Sequence, residues 1–207
     1  MDADEEGPAP TVFVVDDDAD VREAVDGLLR SLGLRVECFA STEAFVDAGR
    51  LEAPGCLVLD IRLRGRSGLS FLAGLRAEGS ATPVVVMSAH VDVPMAVQAM
   101  KDGALDVLAK PVRPSDLIEA VNRALALDAE RRRERRALDA LRRAHASLSE
   151  REREVMERVT DGASNRETAA ALGIAEATVK IHRAAAMRKM GARNLPELVD
   201  AARRLRP

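Results

Sequence analysis

The sequence contains no tryptophan and no tyrosine, and its 207 residues include only four phenylalanines and two cysteines. It has no stretch of 18 or more apolar residues, so we expect no membrane-spanning helix. Residues 1–10 are acidic and proline-rich, the opposite of a signal peptide, and we expect them to be disordered. Cys38 and Cys56 both lie in apolar, strand-like segments. This pattern predicts core thiols in a reducing cytoplasm and argues against a disulfide or a metal role for them.

Basic residues are scarce in the front of the chain. Residues 1–126 carry 12 Lys and Arg against 21 Asp and Glu, a net charge of −9. Residues 127–147 carry 7 against 4, and residues 148–207 carry 12 against 9, so each segment has a net charge of +3. All four phenylalanines also fall in the front half. The asymmetry predicts two domains, of which the second faces a polyanion.

Apolar segments alternate with amphipathic helical segments five times in the front half. The predicted strands are 11–16, 35–39, 56–60, 83–88 and 106–109. The predicted helices lie near 19–32, 41–48, 67–78 and 92–100, with a fifth that starts at Pro114. Val- and Leu-rich strands that alternate with helices predict an α/β domain over residues 11–127, with a doubly wound, five-stranded parallel sheet. The binding site of such a fold lies at the carboxyl ends of the strands.

Glycine and proline are both absent between residues 115 and 161, so the helix from Pro114 is predicted to run far beyond the first domain. Residues 128–147 are assigned to a long helical linker. Capping boxes at Ser149 and Ser164 then start two helices, and Gly173 turns the chain into a third. Four short helices joined in this way predict an all-α helix-turn-helix domain over residues 148–207.

Carboxylates are concentrated where two predicted strands end. Asp16, Asp17 and Asp18 follow the first strand, and Asp60 ends the third. Because such acids repel one another, their crowding indicates a cation, and hard oxygen ligands without nearby His or Cys favour Mg²⁺. The simpler alternative is that Asp is common at strand ends and turns. Ser88 and Lys110 end two further strands, and the whole set suits phosphoryl transfer to a carboxylate.

The segments that carry these residues are similar to a known family. They read Val-Val-Asp-Asp-Asp, Leu-Val-Leu-Asp-Ile-Arg, Met-Ser-Ala-His and Lys-Asp-Gly-Ala-Leu-Asp-Val-Leu-Ala-Lys-Pro. Together they resemble the flavodoxin-like receiver domain of two-component response regulators. The segment from Leu148 through Thr178-Val-Lys-Ile-His-Arg to Lys189-Met-Gly-Ala resembles a LuxR-type DNA-binding domain. The arrangement of both domains resembles the FixJ branch of the family.

The resemblance implies that Asp60 accepts phosphate from a sensor histidine kinase and that the cofactor is Mg²⁺ or Mn²⁺. The implied metal ligands are Asp17, Asp16 through water, Asp60 and the backbone carbonyl of Arg62. Ser88 and Lys110 would contact the phosphoryl group. Apart from self-phosphorylation and autodephosphorylation at Asp60, no enzyme activity is implied. The implied partners are promoter DNA, RNA polymerase and, on activation, a second copy of the chain; a membrane is not among them.

Val107 departs from the family pattern, because receivers usually carry an aromatic residue at this switch position. Valine cannot perform the ring motion that accompanies phosphorylation, which leaves an alternative function open: a DNA-binding regulator whose receiver is not switched by phosphorylation. A further alternative is an Mg²⁺-dependent phosphatase or phosphotransferase that uses Asp60. The basic helical domain argues against it.

The third helix of the second domain, over residues 175–190, is the predicted recognition helix in the major groove. Lys180 and Arg183 are candidates to read guanine, and Thr178 and His182 to meet phosphate. Lys189 and Arg193 are expected to add phosphate contacts. The full set of predicted DNA contacts is Thr178, Lys180, Ile181, His182, Arg183, Lys189 and Arg193. An ordinary solvated helix face is the simpler reading of these basic residues. Leu195, Leu198, Val199 and Ala202 form an apolar stripe for either core packing or a dimer contact.

Overall fold

The computed structural model describes residues 9–63 and 67–206. Residues 1–8, most of the segment predicted to be disordered, lie outside the described residues. The chain divides into two compact units, Met1–Arg132 and Arg133–Pro207. Among the described residues, no helix combines the length and apolar character needed to cross a bilayer.

Within the described residues, the first unit is built on five parallel strands in the order β2-β1-β3-β4-β5. The strands are β1 Thr11–Val15, β2 Arg35–Phe39, β3 Gly55–Asp60, β4 Val84–Ser88 and β5 Ala104–Ala109. The helices between and after them are α1 Ala19–Ser31, α2 Thr42–Asp47, α3 Gly68–Ala77, α4 Val93–Lys101 and α5 Pro114–Ala146. The doubly wound parallel sheet predicted from the alternating pattern is therefore confirmed.

Each face of the sheet is covered by its own apolar cluster. Val14 and Val58 belong to the cluster that contains Leu29 of α1 and Leu117 of α5. The other face carries the cluster formed with α2, α3 and α4, in which the Phe45 ring packs against three other phenylalanines. Successive strand residues point to opposite faces, so β3 is buried throughout its length. The central strands are thereby held firmly, and their carboxyl ends form a rigid edge.

The two cysteines have different environments. Cys56 is buried in β3, and burial raises the pKa of its thiol to about 12. Cys38 is exposed on β2, which lies at the edge of the sheet. The prediction of a core thiol is therefore wrong for Cys38, because an edge strand has a neighbouring strand on only one side.

The start of the predicted linker packs on the first unit. Asp128 is buried, and its carboxylate accepts a hydrogen bond of 2.8 Å from the backbone N–H of Gly55. Arg132 donates to the carbonyl oxygens of Ala53 at 2.6 Å and Glu52 at 3.1 Å. The sequence predicts that the first domain ends at residue 127, whereas these contacts extend the first unit to Arg132. The difference arises because Gly55, whose N–H binds Asp128, lies 73 residues earlier in the chain.

Gly55 is expected to tolerate no side chain. Its φ is 141°, and a Cβ atom there would lie 1.8 Å from the carbonyl oxygen of Thr11 in β1. We expect Gly55→Ala to lower the free energy of unfolding by about 3 kcal/mol or more, through backbone strain and a clash with a central strand. Urea unfolding followed by circular dichroism measures this, since the chain has no tryptophan for fluorescence.

The matched control for that substitution is Gly74→Ala in α3, where a Cβ atom would meet nothing within 4 Å. Alanine there is expected to be neutral or to stabilise by up to about 1 kcal/mol, because glycine is a poor residue inside a helix. Equal stability of the two variants would contradict the assigned role of Gly55.

The second unit forms the predicted helix-turn-helix domain. In its described part, residues 133–206, four helices follow the end of α5. They are α6 Glu150–Thr160, α7 Asn165–Leu172, α8 Glu176–Lys189 and α9 Leu195–Leu205. Both predicted capping boxes are present, with Ser149 and Ser164 as the caps. Gly173 has a φ of 66°, the left-handed conformation that the turn between α7 and α8 requires.

The core of this unit contains the buried residues Val155, Val179, Ala186 and Leu198. Leu141 and Ala144, near the end of α5, pack against the same core. Of the predicted stripe on α9, Leu198 is fully buried in the core, while Leu195 remains exposed. Core packing thus accounts for Leu198, and Leu195 stays available at the surface.

Candidate functional site

The carboxyl edge of the sheet brings together acids from two strands. β1 and β3 pair in register, with Val15 opposite Leu59, so Asp16 and Asp60 leave the sheet side by side. Each of Asp16, Asp17 and Asp60 offers a carboxylate oxygen, and these oxygens lie within 4.8 Å of one another. Asp16 is 0% exposed and Asp60 is 5% exposed, whereas Asp17 is half-buried. The clustering predicted from the two strand ends is present.

Lys110 joins the two most buried acids. Its ammonium donates to Asp16 Oδ2 at 2.5 Å and to Asp60 Oδ2 at 2.5 Å. The residue follows β5, and the bond to Pro111 is cis. A charge-assisted hydrogen bond to each carboxylate offsets the repulsion between them. The ends of three strands therefore place two carboxylates and one ammonium group in direct contact at this edge.

The backbone of the surrounding turns holds the remaining carboxylate oxygens. Asp16 Oδ1 accepts from the N–H of Asp18 at 3.0 Å, and Asp60 Oδ1 accepts from the N–H of Arg62 at 2.8 Å. Asp18 itself caps α1 by accepting from the N–H of Asp20 at 2.9 Å. Asp18 therefore starts a helix, as predicted. Arg62 is exposed, and the assignment of its carbonyl as a metal ligand stays a prediction.

Burial and pairing shift the pKa values in this cluster. Burial raises the pKa of Asp16, and the hydrogen bonds from Lys110 and Asp18 only partly offset it. Burial acts to lower the pKa of Lys110, but the hydrogen bonds and charges of Asp16 and Asp60 together outweigh it and raise that pKa. Lys110 therefore stays charged at neutral pH, as a group that contacts phosphate must.

Ser88 lies at the same edge but is bonded locally. It is fully buried at the end of β4, and its hydroxyl donates to the carbonyl of His90 at 3.0 Å. It also accepts from the N–H of His90 at 3.3 Å. The Ser88 carbonyl receives the N–H of Lys110 at 2.7 Å, which ties the ends of β4 and β5 together. Ser88 is thus positioned beside the acids while its hydroxyl is held by its own loop.

Val107 faces the opposite side of the sheet from α5. It is half-buried on β5 and packs against the cluster that includes Ala99 and Met95 of α4. It pairs with Val86 of β4, two residues before Ser88. The predicted switch position therefore connects the strand that ends in Ser88 to helix α4.

Two residues that support the site were missed in the sequence. Arg22, one turn into α1, donates to the carbonyl oxygen of Asp16 at 2.6 Å. Gly68 opens α3, and a Cβ atom there would lie 2.3 Å from the carbonyl oxygen of Asp60. No sequence pattern singles out either residue, because each acts on a backbone carbonyl outside its own helix. Both restrict the turns on which the acids sit.

The predicted DNA contacts divide into exposed and engaged groups. Lys180 and Ile181 are exposed on α8, and Ile181 is 67% exposed despite its apolar side chain. Thr178, His182 and Arg183 are half-buried, and Arg183 donates to Asn165 Oδ1 of α7 at 3.0 Å. The exposed pair lies on the N-terminal half of the helix, where the prediction places base contacts.

Lys189 and Arg193, two further predicted phosphate contacts, are bound within the domain. Lys189 donates to Glu152 Oε2 at 2.6 Å and to the carbonyl of Ser147 at 3.1 Å. Arg193 pairs with Glu197 at 2.9 Å. The pKa of Glu152 is lowered by the hydrogen bond from Lys189, and that of Glu197 by the hydrogen bond from Arg193. Both cations thus already have carboxylate partners.

The donor set at the sheet edge fits a hard divalent cation. Three carboxylates and no sulfur or imidazole ligand are what Mg²⁺ or Mn²⁺ selects, and buried oxygens of like charge need a cation between them. Lys110 supplies one positive charge to this set. A divalent ion would neutralise the negative charge of the three acids that the single ammonium group leaves uncompensated.

Two family models match the chain. Residues 12–122 match the response regulator receiver domain, and residues 146–202 match the bacterial regulatory proteins of the luxR family. The response regulator protein TmoT of Ectopseudomonas mendocina is 43% identical over 94% of this chain and 89% of that protein. The transcriptional regulatory protein FixJ of Azorhizobium caulinodans is 46% identical over 92% and 90%. The solved structure of the response regulator StyR is 44% identical, with a TM-score of 0.85 over 94% of this chain and 98% of that one.

Proposed function

The chain belongs to the response regulators of the FixJ type, with a receiver domain and a LuxR-type DNA-binding domain that regulate transcription, and on this basis we propose that Asp60 is its phospho-acceptor. The observation that carries the proposal is the bridge of Lys110 between Asp16 and Asp60 at the carboxyl edge of the sheet. In this proposal the donor is a phosphohistidine on a sensor histidine kinase. The regulator works in the cytoplasm, where its promoter DNA and RNA polymerase lie.

The transfer itself needs one nucleophile and an environment that accepts negative charge. An Asp60 carboxylate oxygen attacks the phosphorus, a P–O bond forms and the P–N bond to the histidine breaks. The electron pair of that bond stays on the imidazole nitrogen, which then takes a proton. Asp60 is suited to this role because its Oδ1 is held by the N–H of Arg62 while Lys110 contacts Oδ2. Lys110 can follow the incoming phosphoryl oxygens without leaving the site.

The metal ligands of the proposal are Asp16, Asp17, Asp60 and the Arg62 carbonyl. A bound Mg²⁺ or Mn²⁺ would neutralise phosphoryl oxygens during the transfer. Arg22 donates to the backbone carbonyl of Asp16, and the N–H of Asp18 donates to the Asp16 carboxylate. Catalysis on external substrates is no part of the proposal. Apart from the three acids and Lys110, the described site has no further residue placed to act as a general acid or base. Water attack on the phosphorylated Asp60 would return the protein to its resting state.

In the proposal, phosphorylation of Asp60 changes the conformation of Ser88 and of helix α4. When Ser88 turns from the His90 carbonyl toward a phosphoryl oxygen, the β4–α4 loop must move. Val107 packs on α4 but has no ring to turn, so the change is carried by repacking of α4 on β5. Exposed apolar residues of α4, Val93, Val97 and Met100, repeat at i, i+4 and i+7. This α4 stripe is the proposed contact with a second copy of the chain.

Beryllofluoride, which mimics the phosphoryl group, is expected to convert the protein from monomer to dimer and to raise its affinity for DNA. The measurements are sedimentation velocity and titration of a DNA duplex, each with Mg²⁺ and with or without beryllofluoride. Val93→Asp should prevent dimerisation, because it places a charge at the first and most exposed position of the α4 stripe, where Val93 is 76% exposed. Loss of roughly tenfold or more in dimer affinity is expected, the cost of one desolvated charge.

Leu32→Asp is the matched control, since Leu32 is an equally apolar residue exposed at the end of α1. It should dimerise as the wild type does. Equal DNA affinity with and without beryllofluoride would instead favour a regulator whose receiver is not switched by phosphorylation.

A further inference from the structure

The exposed residues of helix α8 form one narrow face. They are Ala177, Lys180, Ile181, Ala184 and Arg188, while Glu176 and Lys189, at the two ends of the helix, are exposed beside this face. At 3.6 residues per turn these positions fall within an arc of roughly 100° around the helix axis. The buried residues Val179, Ala186 and Met190 lie on the opposite side, in the core of the domain. The recognition helix therefore presents a continuous exposed face that begins at Ala177 and continues to Arg188.

Arg188 differs from Lys189 and Arg193, the two basic residues that follow it, in having no partner among the described residues. Within residues 133–206, no hydrogen bond or ion pair engages its guanidinium, whereas Lys189 is bound to Glu152 and Arg193 to Glu197. The acidic residue of α8, Glu176, lies in the first turn at the other end of the helix. An arginine without a carboxylate partner can bind a phosphate without breaking an ion pair, while Lys189 would first have to leave Glu152.

We propose that Arg188 is a DNA-binding residue that contacts a backbone phosphate at the border of the major groove, whereas the sequence predicts a phosphate contact for Lys189. The proposal rests on the proposed insertion of α8 into DNA. Arg188 lies eight residues after Lys180, or about 12 Å along the helix, a distance similar to the width of the major groove. When Lys180 and Ile181 meet base edges, a side chain this far along the same face reaches the phosphates that flank the groove. Its contact would position the helix without reading sequence.

The test compares Arg188→Ala with Lys189→Ala by titrating two duplexes over a range of salt concentrations. One duplex is selected by the wild-type protein from a random library, and the other is a scrambled duplex of the same length. Arg188→Ala is expected to weaken binding to both duplexes by a similar factor, about threefold or more. It should also make the slope of log K against log salt shallower by about 0.9 for each protomer, the value for one lost phosphate contact. Arg188→Lys should restore the slope, because a phosphate contact needs only the charge.

Lys189→Ala is expected to lower the melting temperature of the protein, since it leaves the carboxylate of Glu152 without its cation. Arg158→Ala, which removes an exposed charge from α6 of the same unit, is the control for a general loss of positive charge and should leave the salt slope unchanged.

An altered slope in Lys189→Ala together with a normal slope in Arg188→Ala would overturn the proposal and favour the sequence assignment. A loss confined to the selected duplex would also overturn it, because that result would make Arg188 a base contact. Failure of the wild-type protein to bind either duplex would count against the proposed function instead.

Discussion

Asp60→Asn is expected to abolish phosphoryl uptake, with a fall in rate of at least about a hundredfold, because an amide cannot replace the nucleophile. The side chain keeps its size, so the sheet edge should stay folded. Asn can still accept the N–H of Arg62 with its carbonyl oxygen, but its amide group cannot accept from Lys110. Incorporation of label from a small radiolabelled phosphodonor, with the fold checked by circular dichroism, measures the effect.

The matched control is Asp18→Asn, two residues from Asp16 in the same acidic turn. Asp18 caps α1 through the N–H of Asp20, and asparagine caps a helix equally well. This variant should take up phosphate at nearly the wild-type rate, which separates loss of the acceptor from loss of one negative charge nearby. Wild-type incorporation in Asp60→Asn would show that another residue is the acceptor.

Lys110→Met is expected to destabilise the metal-free protein by roughly 3 kcal/mol, because it leaves buried carboxylates without their counter-charge. Lys110 is the partner of both Asp16 and Asp60, and both acids are buried. Urea unfolding in a chelator, followed by circular dichroism, gives the free energy. Phosphoryl uptake should fall as well, since the ammonium that would meet the phosphoryl group is gone.

Mg²⁺ should restore stability to Lys110→Met more than it stabilises the wild type, since an ion that binds only the folded state contributes about 2.7 kcal/mol at a hundred times its dissociation constant. Without Lys110 the metal has no competitor for the two carboxylates. Lys101→Met is the control, because Lys101 is exposed at the end of α4 and the chemical change is the same. A similar Mg²⁺ effect in both variants would refute the role of Lys110 at the site.

The stability of Lys110→Met should also depend on pH, in a direction set by the pKa of Asp16. Burial raises the folded-state pKa of Asp16 above its ordinary value of 3.8, so the folded protein binds a proton more readily than the unfolded chain. In a chelator, the stability gained from protonation of Asp16 is fully present below pH 3.8. It is lost as the pH rises through the raised pKa of the folded state. Removing Lys110 removes an interaction that lowers this pKa, so the loss should extend to higher pH in Lys110→Met. If the loss of stability in Lys110→Met relative to the wild type did not change with pH, this account would be wrong.

The elements and the site edge were predictable from local patterns. Alternating Val- and Leu-rich strands and amphipathic helices specify a parallel sheet, and the order of the chain then places Asp16, Asp60, Ser88 and Lys110 at one edge. The capping boxes at Ser149 and Ser164 are equally local, since the partners lie three residues apart. Such features depend on neighbours in sequence or on the direction of a strand, and both are visible in the amino-acid order.

Which charges are free and which are engaged was decided only by the tertiary structure. Lys189 and Glu152 are 37 residues apart, and Asp128 and Gly55 are 73 residues apart, so no local pattern joins them. The same holds for the exposure of Cys38 and for the side of the sheet on which Val107 packs. The sequence alone determined the fold class, the family and the acids at the site. The structure determined that Lys110 joins those acids, that Lys189 is held by Glu152, and that Arg188 is exposed on the recognition face without a carboxylate partner among residues 133–206. The physical reason is that pairing and burial depend on neighbours that only folding brings together.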